Sequence, residues 1–288
     1  MNMRIGWLAV SLLLSPAPGW SQDQASAPEP AMRFGAPWQA EIYSNAAPAA
    51  YTEAERAAKP YWELAHRCGG SLIADGWVVT AAHCIDEAKV EKGYRVRLGS
   101  RDLANDPGVT FVIDRMVGHL DYDKLHHFND IALVHFVSDE ATDEGGGATI
   151  TPIALNGSGD DDRAVAPGDL LSASGWGRTS AGPDGRNSAG LLQVEIAAVD
   201  CSAVAAYRGQ TTDVMICAGA PGKDTCQDDS GGPLIRTLGE PVLVGIVSWG
   251  DGCAEPDRPG VYVRIDRDHY LDWIDRAMAS DPSVNSMR

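Results

Sequence analysis

The stretch KDTCQDDSGGPL, residues 223–234, gathers one serine, three acids and a cysteine into a turn-rich segment. A serine hydroxyl attacks a carbonyl poorly at neutral pH. It needs a base within hydrogen-bond reach, and that base needs a third group to hold its tautomer and orientation. Among seven histidines, His83 is the candidate base for Ser230. It follows an apolar, strand-like run in VVTAAHC and stands beside Cys84, which pins it if crosslinked. Asp130, in NDIALVHF, directly precedes an apolar strand that would tether its carboxylate at a sheet rim. His126 and His127 lie in a polar segment and read as a solvated loop rather than as metal ligands. His66, His119, His135 and His269 have surface or packing readings.

These groups need a scaffold to bring them together. From residue 37 onward the chain reads as short strands broken by Gly, Pro, Asn and Asp. Tyr94, Val96 and Leu98 alternate with Arg95 and Arg97, as on a half-buried strand; Val194 and Ile196 alternate likewise, and residues 242–247 form a continuous apolar run. Turn clusters fall at residues 105–108, 145–147, 157–162 and 182–185. The pattern predicts an all-β protein of sandwich or barrel type. Tyr270, Trp273 and Ile274 recur at helical spacing and predict a C-terminal amphipathic helix. Thr52 and Glu55 fit a capping box ahead of an Ala/Glu run that Pro60 stops, so residues 52–59 read as a short helix.

The compartment is legible too. Residues 1–21 have a basic start, an apolar run too short to span a bilayer and a small-residue exit, as in a signal peptide. Residues 22–36 read as a flexible segment and 279–288 as a polar tail. Six cysteines in an exported chain favour disulfides, with the connectivity left open by counting alone. A formal charge of −17 disfavours nucleic acid and anionic membrane as partners and would steer cationic substrates inward. An acidic surface that only keeps the protein soluble is the plainer reading.

The segments SLIADGWVVTAAHC, NDIALVHF, DSGGPL, GIVSWGDGCAEPDRPGVYVRI and YLDWI occur in the order His, Asp, Ser. Over residues 37–278 the chain resembles the trypsin-like serine endopeptidases. The resemblance implies two six-stranded antiparallel β-barrels, roughly 37–148 and 149–265, packed around a catalytic cleft, with a C-terminal helix at 266–278. It implies disulfides Cys68–Cys84, Cys201–Cys217 and Cys226–Cys253. Ser230 would be the nucleophile, His83 the base and then acid, and Asp130 the orienting acid, with Ser248 bonded near it. The N–H groups of Asp228 and Ser230 would form the oxyanion hole. Asp224 would lie at the base of the specificity pocket, with Trp249, Gly250 and Gly260 along its walls, so protein or peptide substrates would be cut after Arg or Lys. Protein inhibitors are possible partners. No cofactor is implied. LGSRDLANDPG lacks the acids of the family's calcium loop, so no required metal is expected.

Three features depart from that pattern. Asp228 stands where the motif has glycine, adding bulk and charge beside the oxyanion hole. No Ile-Val-Gly-Gly-like activation terminus precedes the domain, which leaves Asp229 without its usual ammonium partner; a buried, unpaired carboxylate is costly. Residues 45–64 are longer than usual and border the leaving-group side, where an altered preference beyond the scissile bond is expected. The first two departures support a second reading: a binding or regulatory protein built on a catalytically impaired scaffold.

Overall fold

The structure, a computed structural model, describes residues 35–46, 51–138, 149–157, 163–182, 184–266 and 269–280. The expected signal peptide, nearly all of the flexible segment, the turn at residues 145–147 and all but the first two residues of the tail lie outside the described residues.

The first barrel is built from β1 (Gln39–Ser44), β2 (His66–Ala74), β3 (Trp77–Thr80), β4 (Tyr94–Leu98), β5 (Val109–Gly118) and β6 (Ala132–Ser138). It closes in the order β1-β2-β3-β6-β5-β4. The second contains β7 (Ala154–Leu155), β8 (Leu170–Gly175), β9 (Leu192–Val199), β10 (Met215–Gly219), β11 (Pro233–Arg236), β12 (Val242–Trp249) and β13 (Gly260–Arg264). Here the order is β11-β8-β9-β10-β13-β12, and pairing of β11 with β12 completes the ring. Short β7 adds to β12 in parallel. Closure leaves no long open edge in either ring.

Side-chain alternation sets which face of each strand is covered. On β4, Val96 and Leu98 are buried while Arg95 and Arg97 lie on the other face. Strand β12 departs from alternation because both its faces are covered. Val244 and Val247 pack into the second barrel with Leu171, Ile196 and Tyr262. Leu243 and Ile246 join first-barrel residues and the C-terminal helix instead. That helix, which we number α4 (Leu271–Ala279), buries Leu271, Ile274 and Ala277.

The capping box at Thr52 and Glu55 is present and starts α1 (Glu53–Ala58). Pro60 then opens a second short helix, α2 (Tyr61–Ala65), which the sequence pattern did not suggest. A further short helix, α3 (Glu87–Glu91), is capped by Asp86. Helix α1 buries nothing, whereas α2 buries Glu63, Leu64 and Ala65.

The two barrels meet at residues 230–232. Gly69 N–H donates to the Ser230 carbonyl at 2.8 Å, and Gly231 N–H donates to the Val247 carbonyl at 2.7 Å. Gly231 has φ +80, and a Cβ there would overlap Thr80 Oγ1 and the Gly69 carbonyl. Gly231→Ala is therefore expected to cost about 2–5 kcal/mol, from left-handed strain and overpacking together. Urea unfolding of the intact-disulfide protein checks this; a loss below about 0.5 kcal/mol would mean the seam yields freely.

Candidate active site

Asp130 is fully buried, just before β6. Its Oδ2 lies 2.7 Å from His83 Nδ1, and its Oδ1 accepts the His83 backbone N–H at 2.9 Å. Ser248 Oγ donates to the same Oδ2 at 2.6 Å. Burial works against ionisation of Asp130, but His127 beside Oδ2, the hydrogen bonds from His83 and Ser248 and the Coulombic pull of His83 outweigh it and hold the carboxyl well below the usual range. The double contact to side chain and backbone fixes the ring's orientation. It also leaves His83 Nε2 pointing away from the acid, since Nδ1 is engaged.

His83 lies in a 3₁₀ turn, Ala82–Cys84, immediately after β3. Cys84 is bonded to Cys68, one residue before Gly69, whose N–H holds the Ser230 carbonyl. Disulfide and hydrogen bond together carry Ser230 to the His83 turn across the seam. All three implied disulfides are present, with Cys201–Cys217 stapling β10 and Cys226–Cys253 joining the serine loop to the loop after β12.

Asp228 has φ +73, the left-handed region in which glycine is at ease and Asp is tolerated. Its carboxylate is directed to Arg178, with Oδ2 3.5 Å from Nε. The same segment supplies Arg186, whose Nε lies 2.8 Å from Glu63 of α2; Lys59 adds a second cation at 3.2 Å. Burial alone would raise the Glu63 pKa, yet the bonds from Arg186 and Lys59 lower it. Thus one short stretch, residues 178–186, grips both the unusual Asp228 and the unusual helical insertion.

His66 corrects the sequence reading most sharply. Far from a surface or packing residue, it is buried with Glu41: Nδ1 lies 3.0 Å from Glu41 Oε1, and Nε2 lies 2.9 Å from the Asp228 carbonyl. Both neighbours are acceptors, so the ring satisfies both only as an imidazolium. Burial opposes that charge, but Glu41 and the Asp228 carbonyl outweigh it and raise the His66 pKa. Arg97 lies 3.0 Å from the other Glu41 oxygen. No local signal marked Glu41 or Arg178; each acquires its partner only through folding. His127, read as part of a solvated loop, lies with Nδ1 3.6 Å from Asp130 Oδ2, while His126 is exposed and pairs with Asp123.

Asp229 accepts the N–H groups of Gly177 at 2.8 Å and Cys226 at 2.9 Å. Burial dominates over these bonds and pushes its carboxyl up to about 6. Asp224 is raised to about 6 as well, burial again outweighing the N–H groups of Thr225, Ala254 and Gly260. Gly260 approaches Asp224 so closely that a Cβ would sit 2.7 Å from Oδ1. Gly250 faces Gly260, its Cβ position 3.9 Å from the Gly260 Cα, and Trp249 packs edge-on against Tyr207. Asp224 and Asp229 border one cavity of about 550 Å³.

The family model described as Trypsin matches residues 28–274. A trypsin of Squalus acanthias is 40% identical over 221 residues, 75% of this chain and 87% of the relative. Trypsin-1 of Salmo salar is 39% identical over 220 residues, 75% of this chain and 82% of the relative. Among solved structures, neuropsin, a serine protease expressed in the limbic system of mouse brain, aligns with a TM-score of 0.64 at 31% identity, covering 86% of this chain and 97% of that one. With two closed barrels, an acid–histidine pair at their seam and these likenesses, the chain belongs to the trypsin family of serine proteases.

Proposed function

We propose that this protein is an exported serine endopeptidase that cleaves peptide bonds after Arg or Lys through an acyl-enzyme on Ser230. The observation that carries this reading is the buried Asp130, which accepts bonds from His83 and Ser248 while the disulfide-linked seam brings Ser230 alongside. Export is supported by the leader at residues 1–21 and by three disulfides.

In the acylation step Ser230 Oγ attacks the scissile carbonyl carbon and His83 Nε2 takes the hydroxyl proton. Asp130, bonded to Nδ1, holds the reactive tautomer and stabilises the imidazolium without accepting the proton. The oxyanion of the tetrahedral adduct is received by the N–H groups of Asp228 and Ser230, each such donor being worth about 2.7–4 kcal/mol. His83 then gives its proton to the leaving nitrogen as the C–N bond breaks. Water attacks the ester with His83 again as base, and collapse returns a proton to Ser230 Oγ and frees the acid.

Specificity rests on Asp224. A carboxylate in a largely dry pocket favours a guanidinium or ammonium strongly. Gly250, Gly260 and Trp249 would form the walls, and a side chain at Gly260 would crowd Asp224 directly. A terminal ammonium reaching Asp229 through the adjoining cavity would draw its raised pKa back down. The impaired-scaffold reading drew on Asp228, whose carboxylate is engaged by Arg178 and whose carbonyl is engaged by His66. Neither contact blocks its N–H.

Three outcomes are expected. Ser230→Ala should lower kcat on an arginyl amide by about 10⁶-fold, as removing one member of a cooperating set does; retention of a tenth of the rate would remove Ser230 from the chemistry. For an aryl amidinium inhibitor, affinity should fall by up to about tenfold per pH unit below pH 6. The sign follows from the raised carboxyl: Asp224 is ionised above about 6 and neutral below, and the cation binds the ionised form. Asp224→Asn should flatten that dependence, and an unchanged slope in the variant would assign it elsewhere. Asp228→Gly should leave kcat/KM within about tenfold, or about 1.4 kcal/mol, of the parent. A rise beyond 100-fold, on the order of 2.7 kcal/mol, would show that Asp228 obstructs the oxyanion hole.

A further inference from the structure

Arg67 stands beside the catalytic groups, yet no catalytic step uses it. His66 and Gly69, which flank it, both touch the serine loop, through the Asp228 carbonyl at 2.9 Å and the Ser230 carbonyl at 2.8 Å. Its neighbour Cys68 is bonded to Cys84, next to His83. Arg67 therefore lies alongside the serine loop, on the first-barrel side of the seam. Its Nη1 donates to the carbonyls of Leu64 at 2.8 Å and His66 at 2.6 Å, closing the last turn of α2. The Tyr51 ring lies 5.7 Å from the guanidinium carbon. Both Nη1 hydrogens are thus engaged, whereas the side edge, Nε with Nη2, makes no hydrogen bond among the described residues.

The carboxylates around it are already engaged. Asp228 is turned to Arg178, and Glu63 lies between Arg186 and Lys59. Glu41 is buried between His66 and Arg97, and Glu55 of α1 turns back onto the Thr52 cap. No carboxylate pairs with Arg67 among the described residues. In a chain of formal charge −17, Arg67 is a cation held in place with its bidentate edge open.

We propose that Arg67 selects substrates carrying an acidic side chain within three residues after the scissile bond. This rests on the proteolytic reading above and extends it from the residue before the cut to those that follow. The cavity at Asp224 is lined by second-barrel residues. A substrate whose basic side chain enters that cavity has its leaving nitrogen at His83, which protonates it. Its leaving half therefore runs toward the first barrel, past Cys68–Cys84 and Arg67. A carboxylate there accepts Nε–H and Nη2–H in two parallel bonds, which an amide with one acceptor oxygen cannot match. Arg67 acts on binding and not on the bonds that break, so its effect falls on KM rather than kcat. The helical insertion gains a purpose as well: the Leu64 and His66 carbonyls aim the guanidinium.

The test uses quenched fluorescent peptides with a single arginine, in which Glu or Gln stands first, second or third after it. The quantity read is the kcat/KM ratio of the Glu peptide to the Gln peptide, so a variant's overall loss of folded protein cancels. At one position or more the wild-type ratio should be about three- to tenfold, falling toward one as salt is raised. Arg67→Gln should bring the ratio to about one, and Arg67→Lys should keep part of it. Arg67→Glu should favour Lys over Gln at the same position. Equal rates for Glu and Gln at all three positions in wild-type protein overturn the proposal, a result that needs no variant to fold. So does a preference that survives Arg67→Gln, which would belong to another cation of this flank. If no peptide is cut, the proteolytic reading fails on its own account. Equilibrium binding of the same peptides to the Ser230→Ala protein then decides Arg67: a Glu preference abolished by Arg67→Gln supports the assignment, and equal binding overturns it.

Discussion

A carboxylate removed from water loses several kcal/mol of hydration unless hydrogen bonds or a cation replace it. The seam between the barrels is organised around that constraint at Asp130. Buried completely, it recruits a ring N–H and a backbone N–H from the His83 turn and a hydroxyl from β12. These donors come from both barrels, so satisfying one anion aligns the histidine and docks the second barrel against the first. The same bonds that make the burial tolerable set the orientation of the His83 ring.

The constraint recurs with a different solution beside the serine loop. Glu41 lies between His66 and Arg97, and His66 reaches across to the Asp228 carbonyl. A charged imidazole thereby spans from the first barrel to the serine loop of the second. Glu63 repeats the theme in the helical insertion, its buried carboxylate clamped by Arg186 and Lys59. The insertion is thus anchored by charge as well as by Leu64 and Ala65, and the segment at residues 178–186 couples it to Asp228.

Asp224 and Asp229 are less well compensated. Both carboxyls are raised to about 6 from an ordinary 3.8, so ionising each in the folded protein costs on the order of 3 kcal/mol. Stability from these two groups is present below pH 3.8 and lost as pH rises through 6; the lowered Asp130 and Glu63 work in the opposite sense, losing theirs as pH falls. Binding a cation beside either acid removes the opposing cost.

Much of this was written locally. Alternation at Tyr94–Leu98, the apolar run of β12, the Thr52–Glu55 capping box and the spacing of Tyr270, Trp273 and Ile274 each follow from side-chain periodicity or capping, which depend on near neighbours. The order of His83, Asp130 and Ser230 within their motifs, and the disulfide pairing, were legible through family resemblance. What the sequence could not carry were contacts between residues far apart along the chain. Helix α2 is held by Arg186, 123 positions beyond Glu63. His66 meets the Asp228 carbonyl across 162 positions, and Asp228 finds Arg178 only because the serine loop folds back onto that segment. His127 lies only three positions from Asp130, yet a left-handed backbone, φ +55, brings its ring against that of His83, a contact its own sequence neighbourhood did not announce. Residue types fixed the chemistry available at the seam. Closure of the two barrels decided which groups lost their water, and therefore which partners each buried charge had to find.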